Sequence, residues 1–156
     1  MVSELAKVAR RTDEVTARAR AQLVRAVRSA AAQGMTQAQI AEQIGRSQPE
    51  VSRLLRFHGT SPLGLKLRRN ADRIRQVVTE AGGTQIRVFG SVATGQDRPD
   101  SDVDLLFVMQ RPLSLMQLGR LEQRLTDLLG VSVDLVPDSA LRPDVRERVL
   151  SEAVAL

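Results

Sequence analysis

The chain has 156 residues, room for one ordinary domain or two small ones, and with 42% hydrophobic and 26% charged residues it reads as globular rather than disordered. It has no cysteine, tryptophan or tyrosine and a single histidine, His58. Disulfides, cysteine catalysis and a histidine-rich metal site are therefore excluded, and the core must rest on Leu, Val, Ile and Ala. No apolar run approaches the length that spans a bilayer, and the opening Met1–Lys7 stretch lacks a signal-peptide core, so a soluble cytoplasmic protein is the expectation. The net charge of +5 is unevenly placed, with ten Lys/Arg against five Asp/Glu in residues 1–61 and thirteen against thirteen in residues 62–156. That asymmetry points to a polyanionic partner for the N-terminal part.

Residues 3–33 are rich in Ala, Arg and Gln without Pro or Gly, and Leu5, Val8, Val15, Ala19, Leu23, Ala26 and Val27 recur at helical spacing. The stretch reads as one long helix, or two broken near Arg11-Thr12-Asp13. Gly34 ends it. Thr36-x-x-Gln39 and Ser47-x-x-Glu50 are capping-box patterns that start two short helices, over 37–44 and 48–57, joined by Gly45-Arg46-Ser47. Ile40, Ala41, Ile44, Val51, Leu54 and Leu55 supply their apolar interior. His58–Gly64 reads as a linker, which divides the chain into a helical domain over 1–60 and a second domain over 61–156.

The second part alternates. A helix over 63–81 stops at Gly82-Gly83, a strand over 84–89 meets a Gly-Ser turn and short helix, and a strand over 103–109 runs to Pro112. Ser114 caps a helix to Leu129, a strand over 131–136 ends at Pro137, and Pro143 opens a last helix reaching about Val154. The order implies an α/β (α+β) layer fold with a mixed sheet, preceded by an all-α unit.

The segment Phe89–Val108 carries the chemistry. Gly90-Ser91 follows one apolar run, and Asp102 and Asp104 occupy alternate positions at the start of another. Alternate residues on a strand share a face, so both carboxylates project together. Like charges so placed call for a cation, and hard oxygen ligands suit Mg²⁺. Glycine lets backbone approach a ligand closely, and free N–H groups at the start of the following helix suit phosphate. Asp97, Asp100, Asp127 and Asp138 read instead as solvated, turn or capping residues.

Residues 37–56 resemble a helix-turn-helix of the repressor or sigma-factor type, with Ala41, Gly45, Val51 and Leu54 at its interior and turn positions. The resemblance implies that the second helix enters the major groove of duplex DNA and presents Gln48, Ser52, Arg53 and Arg56, with Arg46 or Arg56 holding phosphates. A helical hairpin that only packs or dimerises is the alternative. Such motifs usually act as dimers, so the long N-terminal helix is also a candidate to pair two subunits.

Residues 84–136 resemble the minimal nucleotidyltransferases of the DNA polymerase β-like superfamily. The pattern is Gly90-Ser91, ten residues, Asp102-Val-Asp104, then a third acid on a later strand, Asp134 within Val133–Val136; the tail from Leu141 also looks like the family's last helix. The resemblance implies that Asp102 and Asp104 bridge two Mg²⁺ ions, that Asp134 joins only the acceptor-activating ion, and that Gly90 and Ser91 hold the triphosphate of ATP. It departs from the family at Thr94, where an arginine is common; Arg87, Arg98 or Lys66 are candidate replacements. Small free-standing members resemble antitoxins that transfer AMP to a tyrosine of a HEPN ribonuclease toxin, which implies such a toxin as partner. A nucleotide-sensing transcriptional regulator, or transfer to RNA or a small molecule, are the alternatives.

Overall fold

The computed structural model describes residues 3–156; Met1 and Val2, part of the opening stretch read above, lie outside the described residues. The chain falls into two compact units, one through Leu55 and one over Arg56–Leu156.

The first unit is helical: α1 (Glu4–Ala32), α2 (Gln37–Ile44) and α3 (Gln48–Leu55). Helix α1 is continuous. Ser3 caps it by accepting from the Ala6 N–H, and at the suspected break the Thr12 hydroxyl donates to the Val8 carbonyl at 2.9 Å, satisfying itself within the helix. Val24 and Val27 pack with Ile40, Ala41, Val51 and Leu54. Towards the other end of α1, Leu5, Val8 and Val15 stand exposed.

The second unit contains α4 (Pro62–Arg69), α5 (Ala71–Glu80), β1 (Gly83–Phe89), α6 (Gly90–Thr94), β2 (Val103–Met109), α7 (Leu115–Leu129), β3 (Val133–Pro137), a 3-10 turn (Asp138–Ala140), α8 (Pro143–Glu152) and β4 (Val154–Ala155). The strands form one sheet in the order β3-β2-β1-β4, with β2 and β3 parallel and β1 antiparallel to both its neighbours. The sheet is mixed, as the alternating pattern implied. Ile86, Val88, Val103, Leu105, Phe107, Val133 and Leu135 form the core with Ile74 and Val78 of α5 and Leu121, Leu125 and Leu129 of α7. A side chain such as Phe107 or Leu105, with no exposed surface, contributes about 1.5–3 kcal/mol by leaving water.

Several boundaries differ from the sequence reading: the last helix ends at Glu152 because Val154 joins β4, and the strand expected over 131–136 is Val133–Pro137. The helix expected over 63–81 is two, because the Asn70 side chain donates to the Lys66 carbonyl at 2.8 Å and diverts the backbone there. Part of the expected linker is helix, since Ser61 caps α4 and Pro62 occupies its first turn. Helix α3 ends at Leu55 rather than 57, because Arg56 bridges to Ala155 and the Phe57 N–H donates to the Ala155 carbonyl at 2.8 Å. The short strand β4, absent from the sequence reading, is what recruits them.

Candidate active site

Strand β2 begins at Val103, and its alternation buries Val103, Leu105 and Phe107 while Asp104 lies half-buried on the opposite face. Asp104 is registered opposite Phe89, the last residue of β1, and opposite Asp134 of β3. Residues directly opposite on neighbouring strands share a face, so Asp104 and Asp134 project together. Asp102, two residues earlier, is exposed, as is Asp134. The Val103 N–H donates to the Ser132 carbonyl at 2.9 Å and locks the starts of β2 and β3 together.

The turn after β1 closes over this cluster. Gly90 has φ +72°, and a Cβ there would collide with Oδ2 of Asp104, so both conformation and space demand glycine. Ser91 follows in the first turn of α6, half-buried. Thr94 is exposed, and its hydroxyl donates to the carbonyls of Gly90 and Ser91 at 3.2 and 3.3 Å, folded back onto its own helix.

Burial pushes the Asp104 carboxyl up to about 6, and the negative charges of Asp134, Asp102 and Glu152 push in the same direction. Glu152, the last residue of α8, was missed by sequence reasoning. No local spacing signals it, since it arrives only because α8 and β4 fold back along β1. Among the described residues no group of three or more acidic or histidine side chains is already gathered as a metal cage. The donor set is one of carboxylate oxygens, the hard ligands that suit a divalent cation, and their mutual repulsion adds to burial in raising the proton affinity of Asp104.

Comparison with known proteins agrees with this geometry. The family profile described as nucleotidyltransferase domain matches residues 71–156. This chain belongs to the nucleotidyltransferase domain family. The protein adenylyltransferase MntA of Thermococcus cleftensis is 42% identical over 73 residues, 47% of this chain and 74% of that protein. A solved minimal nucleotidyltransferase superposes with a TM-score of 0.54 at 41% identity, covering 59% of this chain and 94% of that one. A toxin–antitoxin crystallised with AMP-PNP shares the fold, with a TM-score of 0.51 at 23% identity over 55% of this chain and 71% of that one. The protein is thus an enzyme of the nucleotidyltransferase class, with its matched residues all in the second unit.

In the helical unit of this nucleotidyltransferase, both capping boxes form. Thr36 and Gln39 exchange bonds at 3.2 and 2.9 Å, and the Ser47 N–H donates to Glu50 at 2.9 Å. The Ser47 bonds hold the Glu50 carboxyl below its ordinary range. Gly45 takes the left-handed conformation, φ +64°, that turns α2 into α3. Arg46, Gln48 and Arg53 are exposed and Ser52 half-buried. Arg56 does not sit on α3: its backbone is in the bridge to Ala155, in the second unit, so the sequence-based placement of Arg56 on the second helix is corrected. Of the acids set aside, Asp127 accepts from Gln123 at 2.9 Å and Asp138 opens the 3-10 turn. Among the described residues no helix is long and apolar enough to cross a membrane.

Proposed function

We propose that this chain is a Mg²⁺-dependent protein adenylyltransferase of the antitoxin kind, moving AMP from ATP to a HEPN-type toxin, and that its helical unit binds operator DNA. The observation that carries the catalytic half is the register of Asp104 against Asp134 beside the Gly90 turn. Asp102, Asp104 and Asp134 would hold two Mg²⁺ ions, which when bound neutralise the triphosphate and lower the pKa of the acceptor hydroxyl. Gly90 and Ser91 would hold phosphate oxygens through backbone N–H groups and the serine hydroxyl. The acceptor oxygen forms a bond to the α-phosphorus, the α–β phosphoanhydride bond breaks, and pyrophosphate leaves while the hydroxyl proton passes to solvent. The likeness to the MntA adenylyltransferase supports adenylyl transfer to a protein.

The DNA half is supported by the two capped helices joined at Gly45 and by exposed Arg46, Gln48 and Arg53 on a unit whose residues carry most of the chain's excess positive charge. Residues 1–60 are proposed as the DNA-binding domain and 61–156 as the nucleotidyltransferase domain. Exposed Leu5, Val8 and Val15 on α1 support pairing with a second copy through that helix. A nucleotide-sensing regulator is the second reading, favoured by Thr94, whose hydroxyl is spent on its own helix rather than offering a charge.

The test is incubation of the purified protein with labelled ATP, GTP, CTP or UTP, Mg²⁺ and the product of its neighbouring gene. Label on that protein, from ATP and dependent on Mg²⁺, is expected. Label on RNA or a small molecule instead would move the acceptor to that class, and binding without transfer would favour the sensor.

A further inference from the structure

Strand β1 is irregular at a point that matters for the site. Thr84 lies opposite Val108 and Arg87 opposite Leu106, so two residues of β1, Gln85 and Ile86, face the single residue Phe107. This is a β-bulge, and Gln85 within it is the one non-glycine residue with positive φ, +51°, among the described residues. Bulges re-aim the side chains that follow them. From Ile86 onwards, Ile86 and Val88 are buried in the core, while Arg87 and Phe89 take the other face.

That face is the one Asp104 occupies. Phe89 is opposite Asp104, and Arg87 is opposite Leu106, the next residue of β2 on the same side. Arg87 therefore lies diagonally across from Asp104, a separation long side chains reach. An arginine on a sheet face that also carries carboxylates would ordinarily pair with one. Arg87 makes no such ion pair, and its Nε is buried without a hydrogen-bond partner, the one side-chain nitrogen or oxygen so placed among the described residues. A buried donor without a partner costs stability that an apolar side chain of similar length would spare, so its presence calls for a ligand. The other cations considered for the site, Lys66 and Arg98, are exposed.

We infer that Arg87 is a phosphate-binding residue of the site, its guanidinium engaging the β- and γ-phosphates of the bound nucleoside triphosphate. A guanidinium keeps its charge at any working pH and presents a planar fork that matches phosphate oxygens. Placed on the carboxylate face by the bulge, it would offer an incoming triphosphate a positive charge. The assignment rests on nucleotide binding at this face and is independent of the acceptor.

The full-length protein is tested as Arg87→Met and Arg87→Lys, by calorimetric titration with ATP and with AMP, each with Mg²⁺, and by thermal melting without ligand. The parent is first titrated with all four triphosphates, and the tightest replaces ATP if it differs. Arg87→Met is expected to melt at or above the parent's temperature while triphosphate affinity falls about tenfold or more, the size of a lost charge-assisted hydrogen bond. AMP affinity should change less than about twofold, since AMP lacks the outer phosphates. Arg87→Lys, which keeps charge without the fork, should lose an intermediate factor and raise KM more than it lowers kcat. Equal losses for ATP and AMP would overturn the phosphate assignment, as would a lower melting temperature with triphosphate affinity unchanged. Should the Met variant not fold, a Lys variant with the parent's triphosphate affinity overturns it alone. A parent that binds no triphosphate removes the nucleotide reading and this inference together.

Discussion

Asp104 of β2 and Asp134 of β3 are direct neighbours across a parallel strand pair, thirty positions apart in the chain yet on one face of the sheet. The half-buried member is the one whose proton affinity is raised. A like-charge pair in this setting is unfavourable in the free protein, and the proposed Mg²⁺ would relieve it.

Replacing Asp102 or Asp104 should separate stability from activity. Asp102→Asn and Asp104→Asn are expected to cut Mg²⁺-dependent nucleotidyl transfer by more than about 100-fold, since even groups one shell out from a metal cost about 10–100-fold. Asp104→Asn should at the same time raise the melting temperature of the metal-free protein at pH 7.5, because a repelled charge is removed. Parallel rate and melting measurements check this; transfer at the parent's rate in both variants would refute the site.

The pH profile follows from the same group. Asp104 titrates at about 6 in the folded protein against 3.8 ordinarily, so between those values the folded state binds more protons than the unfolded one. The contribution of Asp104 to stability is thus present at low pH and lost as pH rises towards and through about 6. Activity should move the opposite way, rising as the carboxylate ionises to hold a cation, with a midpoint that falls as Mg²⁺ competes with the proton. Melting curves and transfer rates from pH 4.5 to 8, with Asp104→Asn as control, check both slopes. Added Mg²⁺ should raise the parent's melting temperature at pH 7.5 and do so less at pH 5.

Gly90→Ala tests the turn. The substitution needs an unfavourable φ and pushes a methyl group into the Asp104 carboxylate. A loss of about 1–3 kcal/mol of stability is expected, the usual cost of forcing a side chain into such a conformation. Transfer should fall with it. Chemical denaturation with and without Mg-ATP reads both, and a fully stable, fully active Ala variant would contradict the geometry.

The helical unit offers an independent measurement. The full chain should bind duplex DNA from its own promoter with affinity that falls steeply as salt rises, because arginines displace counterions from phosphates. Arg53→Ala or Gln48→Ala should cost about 1–3 kcal/mol of discrimination at a directly read base. Arg56→Ala should change discrimination little, since Arg56 lies off α3. Absence of binding at low salt would remove the DNA-binding proposal and leave the catalytic one standing.

Asp134→Asn distinguishes an enzyme from a sensor. If Asp134 serves only the acceptor side, the variant should keep ATP affinity within a few-fold of the parent while transfer to the partner protein is lost, since binding and transition-state stabilisation are separate quantities. A sensor would keep its DNA response to ATP through this change. Measuring ATP affinity, partner modification and operator binding on one preparation decides between them.

Much of this protein was legible in the chain because the deciding interactions are local. Thr36-x-x-Gln39 and Ser47-x-x-Glu50 close their boxes within one turn, Gly45 reverses the chain by its own conformation, and Asp104 faces away from Val103 and Leu105 by strand alternation alone. Tertiary structure decided what depends on residues far apart. The register that sets Asp134 against Asp104, the arrival of Glu152, and the removal of Arg56 and Phe57 from α3 by Ala155 all come from pairings across the sheet. A two-residue strand such as β4 has too few positions to show a period, and a bulge such as that at Gln85 reverses the face of every side chain after it. Such pairings gain their free energy only when distant segments meet, so no stretch read by itself contains them.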